Sequence, residues 1–398
     1  MRCRLDWKFL LGLELSDPGF DFSVRCEFRA RLVQGQAESL LLDTLLACCK
    51  QRAWLKERGE QRTDSTHVLT AARALNRLEL VGETLRHALN VLAEVAPCWL
   101  RDQVTPDWFD RYGRRVEEYR LPKGEEARRS YAELIGADGR HLLQALASET
   151  APAGLRNLPA VETLRLVWEQ QYILRGDTLR LRTAAELCRA GLRMDTPYDP
   201  EAHSGNKRTV TWTGYKVHLT ETCDEELPHL ITDVQTTVPD VSDAVLTEPI
   251  QRKLAEKGLL PQEHLVDSGY VDADLVVRSQ LEREVTVVGP VRPNSSWQAK
   301  EAAGYDQSQF QIDWQKQRAT CPQGKVSRWW TPYEDSWGNQ VISVRFDRAE
   351  CRACPVRSCC TPAKSEPRHL CLRLQPHHEA LEHIRQEQQT KEWQLRYQ

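Results

Sequence analysis

Apolar positions at Phe28, Leu32, Leu40, Leu41, Leu45 and Leu46 recur at helical spacing, so residues 1–60 read as a small helical unit. A polar and β-branched run, Arg62-Thr63-Asp64-Ser65-Thr66-His67-Val68, follows and reads as a strand. Three long helical patterns come next, from Leu69 to Val95, Glu126 to Leu146 and Leu158 to Leu192. At Pro197-Tyr198-Asp199-Pro200 two prolines end the helical texture and begin a loop. Thr213 to Thr220 then alternates as a strand does, and His229 to Val238 is its expected antiparallel partner. Asp243 to Lys257 is an amphipathic helix, His264 to Val266 a strand ending at Asp267, Asp272 to Glu284 a helix and Val285 to Pro290 a further strand. Beyond Pro290 the pattern becomes irregular up to about Cys371, and His378 to Tyr397 looks helical again.

This order predicts an α/β protein and is compatible with a ribonuclease H-like core, with a helical insertion after the first strand and a cysteine-rich insertion after the last. The expected division is 1–60, an N-terminal helical domain; 61–70 and 200–290, the core; 71–199, the helical insertion; 291–375, the cysteine-rich insertion; and 376–398, the start of a C-terminal helix. A length of 398 residues suits two or three domains.

Composition narrows the setting. The best candidate for an apolar run, Phe9 to Leu15, is far short of the roughly 20 residues a membrane helix needs and is followed by Asp17. Asp6 and Glu14 argue against a signal peptide, so a cytoplasmic location and no membrane partner are expected. Thirteen cysteines, an odd number without secretory features, point to reduced thiols or metal ligands rather than disulfides. A net charge of −3 does not advertise nucleic-acid binding, but Lys316 to Arg328 and Cys351 to Arg373 are locally basic and suit phosphate, or a solvated surface.

Two acids stand out. Asp64 lies in a strand-like run, and Asp267 closes an apolar strand just before a glycine turn. Two carboxylates brought together from distant parts of a chain are what a divalent-metal phosphoryl-transfer site requires, with Mg²⁺ favoured by hard oxygen ligands. Taken alone, Asp64 also reads as a helix cap and Asp267 as a turn residue.

Asp64-Ser65-Thr66 resembles the D-[SG]-T motif, and Asp267-Ser268-Gly269-Tyr270 the D-[AKS]-G-Y motif, of bacterial insertion-sequence DDE transposases. Similarity to the insertion-sequence 1182 group extends through Leu11 to Arg29, Gly214 to His218, Ser296-Trp297-Gln298, Ile312-Asp313-Trp314 and the cysteine segment. The resemblance implies that Asp64 and Asp267 bind Mg²⁺ and that the partner is double-stranded DNA, both the element's terminal repeats and its target. It also implies a homodimer on DNA and a nucleoid-associated location. The family's third acid lies in an R-A-G-[IV]-E motif absent from this sequence, while Glu382, Glu387 and Glu392 stand outside such a context. The expectation is therefore a chain truncated before the third acid, with weak or no catalysis; the alternative is an inactive copy that binds DNA or a full-length relative as a regulator. A zinc-ribbon interaction protein is a third reading. Asp199 is a rival first acid, or simply a turn residue.

Cys351-x-x-Cys354, with Cys360 (or Cys359) and Cys321, has the makings of a structural Zn²⁺ site, or of unliganded thiols. Lys207, Arg208, Lys216, Arg352 and Arg357 are the expected DNA contacts. Trp297, Trp314, Trp329 and Trp330, interleaved with basic residues, suit base stacking or core packing alike. His377, His378 and His383 read as a solvated face rather than as metal ligands.

Overall fold

A computed structural model describes residues 5–397 except 20, 74, 177, 208, 293, 295 and 301–303. The chain opens with helices α1 (Leu5–Leu10), α2 (Phe22–Gln34) and α3 (Leu40–Gln51). Leu46 and Cys49 of α3 pack with Leu55 against Leu230 and Leu259, which anchors this unit beside the central sheet.

Strand β1 (Glu60–Leu69) leads into a helical block of α4 (Arg77–Val95), α5 (Pro97–Gln103), α6 (Asp107–Tyr112), α7 (Glu125–Ala147) and α8 (Pro159–Gln171). Asn76 caps α4 by accepting from the Leu78 and Glu79 amides, and Glu79 bonds back to the Asn76 amide, which satisfies the helix's first donors. Val81, Leu85, Ile135, Leu142 and Leu164 are fully buried at the centre of the block. Burial works against ionisation of Glu83, yet Arg86, Tyr198 and the Val116 amide outweigh it and hold the carboxyl below its ordinary range.

The expected helix from Leu158 to Leu192 is not continuous. It ends at Gln171, and β2 (Tyr172–Arg175) turns at Gly176 (φ +58°) into β3 (Thr178–Leu181). Leu174, Leu179 and Leu181 mimic a helical period that the left-handed turn breaks. The first helical pattern is likewise shorter than read: β1 runs on to Leu69, and α4 begins only at Arg77, after the Asn76 cap.

Next come β4 (His203–Lys207), β5 (Val210–Thr222), β6 (Ile231–Thr237), α9 (Ala244–Glu256), β7 (Glu263–Val266), α10 (Ala273–Arg283) and β8 (Thr286–Val288). The mixed sheet has the order β4-β5-β1-β7-β8, with β6 also on β5. β5 is antiparallel to β1, β4 and β6, whereas β7 is parallel to both β1 and β8. The fold is therefore α/β. Leu246, Ile250, Leu254, Val266, Tyr270 and Val287 form the core beneath the sheet. Gly214, where β5 is flanked by both β1 and β4, is required: a Cβ there would lie 2.1 Å from the Val68 carbonyl oxygen.

The segment after Pro290, expected to be irregular, has a core of its own. After α11 (Trp297–Lys300), β9 (Gln311–Asp313) pairs with β10 (Arg318–Thr320). β11 (Trp329–Glu334), β12 (Gln340–Arg345) and β13 (His369–Arg373) form an antiparallel sheet, with α12 (Arg348–Arg352) between the last two strands. One face of that sheet, through Ile342, Val344, Leu370 and Leu372, packs on Phe310, Ala319 and Phe346. Helices α13 (Gln375–Glu387) and α14 (Lys391–Tyr397) close the chain, broken at Gln388 to Thr390 where one helix was expected. α13 lies against α10, with His377 facing Asp274 at 3.5 Å.

Candidate active site

Thr63 of β1 sits opposite Val266 of β7 in parallel register, so Asp64 and Asp267 are the next residues along neighbouring strands. Such strands run roughly 4.8 Å apart, within the span over which two carboxylates can share ions. Alternation sends Thr63 to the buried side and Asp64 to the open side, and both aspartates are exposed. Each carboxylate accepts from the amide of the residue after it, Ser65 at 2.6 Å and Ser268 at 2.6 Å. Asp64 is thus a mid-strand residue rather than a helix cap.

Beneath the acids lies a polar network. Thr63 Oγ1 bonds to Thr220 Oγ1 at 2.8 Å and to His264 Nε2 at 2.7 Å. The phenol oxygen of the fully buried Tyr270 meets His218 Nδ1 and the Ser65 hydroxyl, and His218 Nε2 reaches Thr237 Oγ1 at 3.2 Å. This joins β1, β5, β6 and the turn carrying Asp267. Burial raises the Tyr270 pKa, and the negative charges of Asp243, Asp64 and Asp267 raise it further. Burial also keeps His218 below its ordinary pKa.

Asp243, which the sequence did not single out, stands at the start of α9 and touches the same turn: a Cβ on Gly269 would lie 3.0 Å from its Oδ2. Its other oxygen accepts from Lys216 Nζ at 2.9 Å, and Lys216 also donates to the Val241 carbonyl. Lys216 is therefore tied down within the fold rather than free for phosphate. Asp199 accepts from the Thr70 and Tyr215 hydroxyls, a tie between the ends of β1 and β5. Glu382 pairs with Arg385 and Glu387 with His383, while Glu392 lies on α14. Among the described residues no group of three or more His, Cys, Asp or Glu side chains is arranged to hold a metal.

The last helix reaches this site: the Tyr397 hydroxyl donates to the Val266 carbonyl at 3.1 Å, and Arg396 pairs with Glu263.

Cys321, Cys351, Cys354 and Cys360 line one cavity with Phe346 and Arg368. Burial raises the Cys351 thiol and pushes Cys360 up to about 11, and the neighbouring thiols add to both shifts. The four share this space without closing on one point. Of the other expected DNA contacts, Lys207 and Arg352 are exposed, and Arg208 lies outside the described residues. Arg357 spends its guanidinium on the carbonyls of Ala363, Lys364 and Glu366, a loop-holding role. Trp314 and Trp330 meet edge to face at 5.6 Å inside the C-terminal segment, while Trp329 points outward.

Residues 320–398 match the family model of the transposase DDE domain. This match supports a DDE transposase. It takes in the four thiols, β11 to β13 and the last two helices, whereas Asp64 and Asp267 lie outside it. No curated protein and no solved structure matches the chain. The family implies a DNA substrate, and among the described residues no helix is long and apolar enough to cross a membrane.

Proposed function

We propose that this chain is an insertion-sequence 1182-type transposase with a ribonuclease H-like core, in which Asp64 and Asp267 hold catalytic Mg²⁺. The observation that carries this reading is the register that sets Asp64, midway along β1, beside Asp267, the residue just past the end of the parallel β7, in a sheet with β6, β5 and β1 antiparallel and β7 and β8 parallel to β1. Mg²⁺ bound there would activate water and neutralise charge developing on the leaving 3′-oxygen. The two strands hold the carboxylates side by side, and both are exposed to solvent. Water would cut one strand, and the freed 3′-hydroxyl would attack target DNA in line, with no covalent enzyme intermediate. The reading carries with it a homodimer on DNA, a cytoplasmic, nucleoid-associated location and a structural Zn²⁺ drawn in by the four thiols.

A second reading, a catalytically inactive transposase that binds DNA or a full-length relative as a regulator, is favoured by one observation. Among the described residues no third side chain completes a metal-binding group with the two aspartates.

Nicking of a duplex spanning the element's ends, measured with and without Mg²⁺, separates the two. Metal-dependent nicking lost in Asp64→Ala and Asp267→Ala supports the enzyme. Binding without cleavage overturns it in favour of the regulator, and absence of binding overturns both.

A further inference from the structure

The sheet of β11, β12 and β13 buries only one of its faces. On the other, strand alternation and register align Trp329, Arg345 and His369 in one row, and Tyr333, Val341 and Arg373 in another. The row between them, Thr331, Ser343 and Cys371, is small and uncharged. Trp329 is 46% exposed and Tyr333 39%, while Val341 is buried. None of these nine positions carries a carboxylate, so the face presents two aromatic rings on one edge strand and two guanidiniums across from them.

The surface continues past the end of β11. The Arg328 guanidinium lies 4.9 Å from the Trp329 ring centre, and Arg348 and Arg352 line a cavity beside that ring. Acids stand at its margins: Asp347 pairs with Arg328 at 2.6 Å, Glu366 with Arg348 at 3.5 Å, and Asp335, just past β11, lies within electrostatic reach of Tyr333 and Arg373.

We propose that this face binds an unpaired stretch of DNA, the rings stacking on bases and Arg345 and Arg373 taking phosphates. The proposal deepens the transposase reading and rests on it for DNA rather than RNA. Trp329 and Tyr333 are four residues apart on one strand, roughly 13 Å, so they meet different bases. Base faces are open to such rings in a single strand and closed within a duplex stack. The two arginines supply charge complementary to the backbone, with no carboxylate on the face to oppose it.

The test is fluorescence anisotropy of the full chain with a labelled oligodeoxynucleotide, offered single-stranded, as a duplex and as the matching RNA. The chain should bind the single strand, and bind it better than the matching RNA. Trp329→Ala and Tyr333→Ala should each weaken it roughly tenfold, Trp329→Phe should restore binding, and Arg345→Gln should lower the salt dependence by about one phosphate contact. Thermal melting establishes that each variant is folded. Unchanged single-strand binding in the folded alanine variants overturns the proposal while leaving DNA binding by another surface intact. Equal losses of duplex and single-strand binding in those variants, or a preference for RNA over the DNA strand, overturn it as well. No binding of any DNA by the unaltered chain would instead overturn the transposase reading beneath it.

Discussion

Thr63 and His264 share a 2.7 Å hydrogen bond inside the sheet, tying β1 to β7 just before each strand delivers its aspartate. His264 is fully buried, and burial depresses its pKa to about 4. It is neutral in the folded protein but takes up a proton near pH 6.5 when unfolded. Stability is therefore whole above about pH 6.5 and is lost as pH falls toward about 4, by on the order of 3 kcal/mol at most. Denaturant melts across that window should show the slope, and His264→Gln should flatten it.

Tyr270→Phe removes one hydroxyl and leaves His218 Nδ1 buried without its partner. The expected cost is about 1–3 kcal/mol. If denaturant unfolding shows no change, the network does not brace the site.

Asp64→Asn and Asp267→Asn alter exposed groups whose visible bonds are to the next amide. Melting should shift by no more than about 0.5 kcal/mol, while any metal-dependent nicking disappears. A large loss of stability would mark these acids as structural.

Loading the thiol cavity with Zn²⁺ must displace protons, because Cys360 titrates at about 11 and Cys351 is also raised. Affinity should rise with pH, and Co²⁺ should give a thiolate absorption band that Cys351→Ser and Cys354→Ser abolish. A band that survives both substitutions would place the metal elsewhere.

Gly214→Ala puts a Cβ 2.1 Å from the Val68 carbonyl oxygen, at φ +153°. The atoms met, the Val68 carbonyl, the Leu69 Cα and the Thr70 amide, are all backbone and cannot swing aside, so a loss of several kcal/mol or failure to fold is expected. Circular dichroism and solubility of the purified variant would show it.

Much of the fold was legible because its signals are local. The β-branched run around Asp64, the alternation from Thr213 to Thr220 and the amphipathic helix from Asp243 each announce themselves. β4 did not: His203-Ser204-Gly205-Asn206-Lys207 has no apolar alternation and becomes a strand only by pairing with β5. Nor did the C-terminal core, whose apolar residues are spread over short strands too far apart to show a period. At the site, the motifs marked Asp64 and Asp267. Asp243 and His218 carry no such mark, since only the folded turn at Gly269 and the Tyr270 phenol bring them in. The commitment of Lys216 and Arg357 to partners within the fold was equally invisible, because charge pattern alone does not say where a long side chain ends.

The hydroxyl of Tyr397 resting on the Val266 carbonyl makes a mechanical latch between the cysteine-bearing end of the chain and the strand that delivers Asp267. The thiols and β11 to β13 are joined to that contact by only two short helices, α13 and α14. Expressed alone, the 320–398 segment would leave that phenol without the carbonyl it rests on.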